Sequence, residues 1–294
     1  MGVHRPTGEF PRHLEALYAR FPFDRSYDDD PISTVRPLVR DRRTAEVAGV
    51  FASTLAIGNT AAIRRAIAEL ARRCDGDVVR LVDPGWADER SRRLRGFRHR
   101  WIRGDQLDHL AGTLAAFYRH EPSLEGPFVR GLEDGGFAKG VDMLAQVLRG
   151  ASRAPPRPSP PVGYRALFPS PLDAGRSPSK RLTLFVRWMV RPRYPDLGVW
   201  TNVPTGELRV PLDQHVHWIA YHLGLTSRRS RSWRAVEEVS EALRRIDPID
   251  PVRYDFVLCH TGISGDCPKE RDLSVCGPCS VRPDCLLWRR RSAA

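Results

Sequence analysis

Lysine is almost missing from this chain. Of 47 basic side chains in 294 residues, only Lys139, Lys180 and Lys269 are lysine, and the other 44 are arginine. Arginine stays charged at any accessible pH, whereas a desolvated lysine can lose its proton. A chain that uses arginine for plain positive charge and keeps a lysine marks that lysine as a candidate titratable amine. Chance retention at the surface accounts for some of the three.

Other absences narrow the class. No stretch approaches 18 uninterrupted apolar residues, so no membrane span is expected. The opening MGVHRPTGEFPRH has no apolar run of the kind a secretory signal needs, and its Met-Gly start lacks the Ser or Thr of a myristoylation motif. Strand signals are sparse. The expectation is a cytoplasmic, nucleoid-associated, monomeric protein of all-α class, with no membrane partner.

What is abundant is positive charge. The formal net charge is +12 and the sequence pI about 10. An excess of this size points to a polyanionic partner, above all nucleic acid. An Arg-biased genome is the alternative source.

Cysteine is scarce but concentrated. Four of six lie near the C-terminus as Cys267, Cys276, Cys279 and Cys285, with eight, two and five residues between them. In a reducing compartment such a set reads as metal ligands rather than disulfides. Four Cys with no interleaved His suit a [4Fe–4S] cluster or a structural zinc ion. Cys259, in DFVLCHTG, is a further ligand candidate, but its apolar neighbours fit a buried helix thiol better. Cys74 stands alone.

Apolar spacing predicts helices over 8–21, from Arg42 to a break at Gly58–Asn59, from Thr60, over 104–119 and over 134–149. The Asp- and Pro-rich segment from Tyr27 to Pro37 reads as a loop. Residues 152–161, SRAPPRPSPP, form a Pro-rich connector. A helix is expected from near Ser179 until Pro192, another over 213–223 with Asp213 as its N-cap, another over 231–246, and one opened by Pro251 that runs through Leu258.

Three segments in order, SPSKRLTLFVRWM, VPLDQHVHWIAYHLGL and CPKERDLSVCGPCSVRPDC, together resemble the helix-hairpin-helix DNA glycosylase superfamily, which includes endonuclease III and the 8-oxoguanine glycosylases. The whole chain also resembles a bacterial family of unknown function near that superfamily. The hairpin segment here, FPSPLDAGRSPSK, departs from the superfamily's L-P-G-[VI]-G pattern, with one Gly and three Pro. The interval between Lys180 and Asp213 is long, as in the archaeal 8-oxoguanine glycosylase branch.

The resemblance implies a two-lobed helical fold. One lobe would be formed by 1–40 with 192–263, the other by 41–191, and 264–294 would be a cysteine loop with a basic tail. It implies excision of an oxidised base, such as 8-oxoguanine, from double-stranded DNA, together with AP-lyase activity. Lys180 would attack the anomeric carbon as an uncharged amine and form a Schiff base. Asp213 would take a proton and stabilise positive charge on the sugar. Cys267, Cys276, Cys279 and Cys285 would hold the [4Fe–4S] cluster or zinc.

The base-contacting set is Asn59, Ser179, Trp188, Trp200, His215 and His217. Asn59 resembles the residue that glycosylases insert into the hole left by a flipped base, and equally fits a turn or N-cap. Trp188 and Trp200 are candidates to stack on a flipped purine, with core packing the commoner fate of Trp188. His215 and His217 are too closely spaced to share a helix face, so one is expected to line the site and the other to pack. Arg228, Arg229, Arg231 and Arg289 to Arg291 are candidates for backbone phosphates. Two other readings stand beside this one. One is a non-catalytic nucleic-acid binder whose four cysteines form a structural module. The other is a glycosylase scaffold redirected to a modified RNA.

Overall fold

A computed structural model describes residues 6–150, 159–174 and 177–289. Residues 152–158 of the Pro-rich connector, and Arg290 and Arg291, lie outside the described residues. The fold is all-α, with one two-stranded ribbon among the described residues. Also among them, no helix is long and apolar enough to cross a membrane.

In chain order the helices are α1 (Phe10–Ala19), α2 (Phe23–Asp29), α3 (Ile32–Val35), α4 (Arg42–Leu55), α5 (Thr60–Arg73), α6 (Ala87–Leu94), α7 (Gly104–Phe117) and α8 (Glu125–Leu148). They continue as α9 (Lys180–Val190), α10 (Gln214–His222), α11 (Trp233–Arg244), α12 (Asp255–Ile263), α13 (Leu273–Cys276) and α14 (Leu286–Arg289). The ribbon pairs β1 (Arg98–His99) with β2 (Ile102–Arg103) in antiparallel register.

Local chemistry sets several of these boundaries. At α4, the Asp41 carboxylate accepts from the Thr44 amide at 2.8 Å while the Asp41 amide donates to Thr44 Oγ1, a reciprocal cap. Between α4 and α5, Gly58 has φ +104°, and a Cβ there would meet the Arg100 guanidinium at 2.7 Å. Asn59 then caps α5 by accepting from the Ala62 amide. α8 is bent at Gly135 and Gly136, the latter at φ +75°.

Three sequence expectations shift. The segment from Tyr27 to Pro37 is not a loop but the end of α2, then α3 and a 3₁₀ turn, Arg36–Leu38. Such short turns carry too few residues to show a helical period; the Asp30 side chain caps α3 through the Ile32 amide. α8 begins at Glu125 rather than 134. The helix expected from Pro251 begins only at Asp255, after a run of turns.

The chain forms two compact units. The first comprises the described residues up to Phe23, residues 177–180, and those from Thr205 onward. The second comprises the described residues from Asp24 to 174 and Arg181–Pro204. Segments 24–40 and 192–204 thus belong with the second unit, and the cysteine segment with the first.

In the second unit α4 is buried almost end to end. Glu46, fully buried on α4, accepts from Tyr118 Oη at 2.9 Å, from Trp200 Nε1 at 2.8 Å, from the Leu124 amide at 3.1 Å and from Ser123 Oγ. A buried carboxylate is tolerated because donors replace its water shell. Asp196, also buried, lies between Arg187 and Arg191 and pins the segment that follows α9. In the first unit the buried Asp284 carboxylate accepts from the Thr7 amide (2.7 Å) and Thr7 Oγ1 (2.6 Å) and pairs with His13 Nδ1 (2.7 Å). These bonds tie the start of the described chain and α1 to the cysteine segment. Phe21, Phe23, Phe256 and His260 form an aromatic cluster beside α12.

Candidate active site and cysteine cavity

The first unit brings Lys180, Asp213 and Cys259 onto one carboxylate oxygen. Asp213 is the N-cap of α10, and its Oδ1 accepts from the amides of His215 (2.8 Å) and Val216 (2.9 Å). Two unsatisfied amides at a helix start hold that oxygen in a fixed direction. The other oxygen, Oδ2, lies 3.3 Å from Lys180 Nζ and 3.3 Å from Cys259 Sγ. Lys180 is the first residue of α9 and Cys259 sits on α12. α12 approaches α10 closely at Gly262, where a Cβ would meet His215 Cβ at 2.7 Å. A bulkier residue there would push apart the two helices that carry Asp213 and Cys259.

Lys180 is presented by an unusual backbone. Ser179, buried just before it, has φ +47°, a left-handed conformation that costs a non-Gly residue about 1–2 kcal/mol. The Ser179 amide donates to Ser177 Oγ at 3.1 Å, which helps to hold the turn. The strain falls directly beside the amine, where functional sites often carry it.

The electrostatics describe an ion pair. Burial favours the neutral Lys180 amine, but the Asp213 charge, with a smaller contribution from Asp255, outweighs it and holds the group above its ordinary 10.5; Cys259 adds to this only at a pH high enough to ionise its thiol. For Asp213, burial raises the pKa, but the Lys180 charge, the Val216 amide and the Cys259 thiol bring the carboxyl below its ordinary 3.8. Burial, followed by the Asp213 charge, pushes the Cys259 thiol well up, so it is a neutral S–H donor. Lys180 is therefore an ammonium in the free protein, not the uncharged amine expected from the sequence. Its side chain keeps 32% of its exposure and that of Asp213 13%, so solvent and small groups reach the pair.

The remaining candidates are distributed as follows. His215 lies beside Asp213 through its amide, with its ring near the Gln214 side chain at 3.3 Å. His217 Nε2 is 3.0 Å from the Arg228 carbonyl oxygen, and burial lowers its pKa against the raising effect of that bond. His217 also lines an open hollow of about 410 Å³ with Trp218, Tyr221, His222 and Arg229. Asn59 belongs to the second unit, exposed, and serves as the α5 cap. Trp188 and Trp200 belong to the second unit too, each only 1% exposed. Trp200 packs on Phe128 and Phe185, so in this structure both indoles are core and neither offers a face to a base.

Cys267, Cys276, Cys279 and Cys285 line one small cavity of about 40 Å³, walled by Ile219, Leu223, Val281 and Leu287. All four are free thiols. Burial, then the mutual charge of the other three, pushes Cys267 up to about 12. Burial likewise raises Cys279 and Cys285. Thiols that disfavour one another's ionisation in an apolar cavity are a donor set that a thiophilic metal would relieve. Among the described residues, no group of three or more His, Cys, Asp or Glu is arranged to hold a metal ion as the side chains stand. The chemistry of the donors fits a sulfur-bound centre, while the side chains do not form a closed single-ion shell.

Two features escaped sequence reasoning. Cys259 is a partner of Asp213, not of the four-thiol cavity; an isolated Cys in an apolar helix gives no sign of a carboxylate 46 residues away in the chain. The ribbon turn leaves Trp101 44% exposed, between Arg100 and the β2 residues, with the Arg181 guanidinium 5.8 Å from its ring. Two-residue strands are too short to read from alternation.

The chain belongs to a family described as protein of unknown function (DUF2400), whose model matches residues 30–264. That span includes Lys180, Asp213 and Cys259 and ends before Cys267. No curated protein and no solved structure matches the chain.

Proposed function

We propose that the protein is a DNA N-glycosylase with AP-lyase activity that removes an oxidised base such as 8-oxoguanine from double-stranded DNA. The observation that carries this reading is the 3.3 Å approach of Lys180 Nζ to an Asp213 oxygen, with the other oxygen fixed by a helix N-terminus. The pair is partly reachable from solvent, and the chain as a whole carries a +12 charge suited to a polyanion.

In this reading an everted nucleoside enters beside the pair and excludes water. Excluding water penalises two separated charges, so the proton passes from Lys180 to Asp213 Oδ2. The neutral amine attacks the anomeric carbon, a new C–N bond forms, and the base departs with the electrons of the glycosidic bond. Asp213 gives its proton to the departing base, and the carboxylate so regenerated offsets positive charge on the sugar. The sugar ring opens to a Schiff base on Lys180 as a proton passes from the lysine nitrogen to the ring oxygen. Asp213 then takes a C2′ proton, whose loss expels the 3′ phosphate by β-elimination. Cys267, Cys276, Cys279 and Cys285 would hold a [4Fe–4S] cluster, or alternatively zinc, which supplies a metal-folded segment and no step of the reaction.

The test is a panel of duplex oligonucleotides, each with one lesion, incubated with and without borohydride. Reductive trapping of wild-type protein and its loss in Lys180→Gln are expected. Trapping that persists in Lys180→Gln removes Lys180 from the role. The resting ion pair also favours a second reading, in which Lys180 and Asp213 are structural and the protein binds nucleic acid without cutting it. Salt-dependent duplex binding with no strand cleavage on any lesion would decide for that.

A further inference from the structure

We propose that Cys259 is a positioning residue that controls how readily Lys180 gives up its proton, by sharing Asp213 Oδ2 with it; the proposal rests on the reading of Lys180 as a nucleophile. The geometry is direct. Oδ1 is committed to the two α10 amides, so Oδ2 alone faces the amine. Cys259 Sγ and Lys180 Nζ each stand 3.3 Å from that oxygen.

The thiol can only act as a donor here. Its surroundings are the Asp213 carboxylate across from it, Asp255 one turn earlier on its own helix, and Lys180 from α9, with His215 on α10 beside Asp213. Burial, together with two carboxylates against one ammonium, keeps the sulfur protonated. An S–H bond to Oδ2 withdraws electron density from the oxygen that holds the ammonium, so it weakens that hold. A nucleophilic lysine needs this: a bare carboxylate would lock the proton onto the amine, and no carboxylate would leave nothing to receive it. The thiol tunes between these limits. A simple space-filling role would be served by valine, an apolar side chain of similar volume, and predicts no change in Lys180 reactivity on that substitution.

The scarcity of lysine makes the test clean. Competitive acetylation of the folded full chain with acetic anhydride at pH 8, read by peptide mass spectrometry, compares Lys180 with Lys139 and Lys269 as internal references. Well below its pKa, an amine reacts in proportion to its neutral fraction. Replacing Cys259 by Ala removes the competing donor, and Lys180 should label roughly three- to tenfold more slowly relative to the references, the span of a 0.5–1 unit rise in pKa. Cys259→Val should behave like Cys259→Ala. Cys259→Ser, whose hydroxyl is the stronger donor, should label at least as fast as wild type.

Unchanged or faster labelling in Cys259→Ala, or slow labelling in Cys259→Ser, overturns the proposal. The serine variant is the closest in size to cysteine and keeps the test decisive should the alanine variant fail to fold. In parallel, the acid limb of the pH profile for borohydride trapping on an abasic duplex should move to higher pH in Cys259→Ala and return in Cys259→Ser. Wild-type protein that never traps would defeat the glycosylase reading, while the labelling ratios would still decide the role of Cys259.

Discussion

Lys180 is held by Asp213 through a single oxygen, Oδ2 at 3.3 Å, while the other oxygen of the same carboxylate caps α10. One side chain therefore does two separable jobs. It starts a helix, which any good N-cap residue could do, and it balances a lysine charge, which only an anion can.

Substitutions at Asp213 should separate these roles. Asp213→Asn keeps the cap and loses the charge; Asp213→Ala loses both. Loss of a cap costs about 1 kcal/mol. Chemical unfolding should find Asp213→Ala less stable than Asp213→Asn by about that amount, with trapping activity abolished in both. Equal stabilities would mean that the cap contributes nothing to α10.

The ion pair also fixes a pH dependence. Lys180 has a folded pKa above 10.5, so its share of stability is present below 10.5 and lost as pH rises through the folded value. Asp213 has a folded pKa below 3.8, so its share is present above 3.8 and lost as pH falls through the folded value. The difference in Tm between wild type and Lys180→Met should thus stay flat between about pH 5 and 9 and shrink only outside that window. A difference that varies across the neutral range would show that other groups control the lysine.

Glu46 is a fully buried carboxylate of the second unit that gathers four donors. Glu46→Ala strands the Trp200, Tyr118 and Ser123 donors and the Leu124 amide. A loss of roughly 3–5 kcal/mol is expected in denaturant titrations, from unsatisfied buried donors plus a cavity. A cost below about 1 kcal/mol would mean that water enters and satisfies them.

At Ser179 the left-handed backbone predicts an order rather than a single value. Valine, β-branched and at φ +47°, should destabilise by roughly 2 kcal/mol or more, whereas glycine should be tolerated. Thermal melts of the two variants read the order directly. If valine is tolerated, the turn before Lys180 relaxes at no cost.

Protein prepared without oxygen should carry iron and sulfide and show broad visible absorption. Cys279→Ala should lose both and melt at a lower temperature. Zinc in a colourless protein would instead assign the four-thiol cavity to a single ion.

Much of the helical plan was legible in order. The Asp213 and Asn59 caps, the break at Gly58 and the start of α9 beside Lys180 each depend on residues within a turn of one another, and local spacing records such relations. The segment from Tyr27 to Pro37 and the ribbon at Arg98–Arg103 were not legible, because their elements are shorter than any period they could display. The fate of Trp188 and Trp200 turned on burial. An indole suits a base or a core equally well, and Glu46, 154 residues from Trp200, supplies the hydrogen bond that makes burial of that indole tolerable.

By itself the sequence determined the all-α class, the excess of positive charge and the four-thiol set, each of which follows from composition or short-range order; the pairing of Lys180 with Asp213 was what the family resemblance implied, and the two lie 33 residues apart. Only the tertiary structure decided that the lysine is charged at rest, that Cys259 shares its carboxylate and that the two indoles lie in the core. The reason is physical. Ionisation and burial depend on which groups meet across long separations, and a carboxylate, an amine and a thiol alter one another's protons only after folding has removed the water between them.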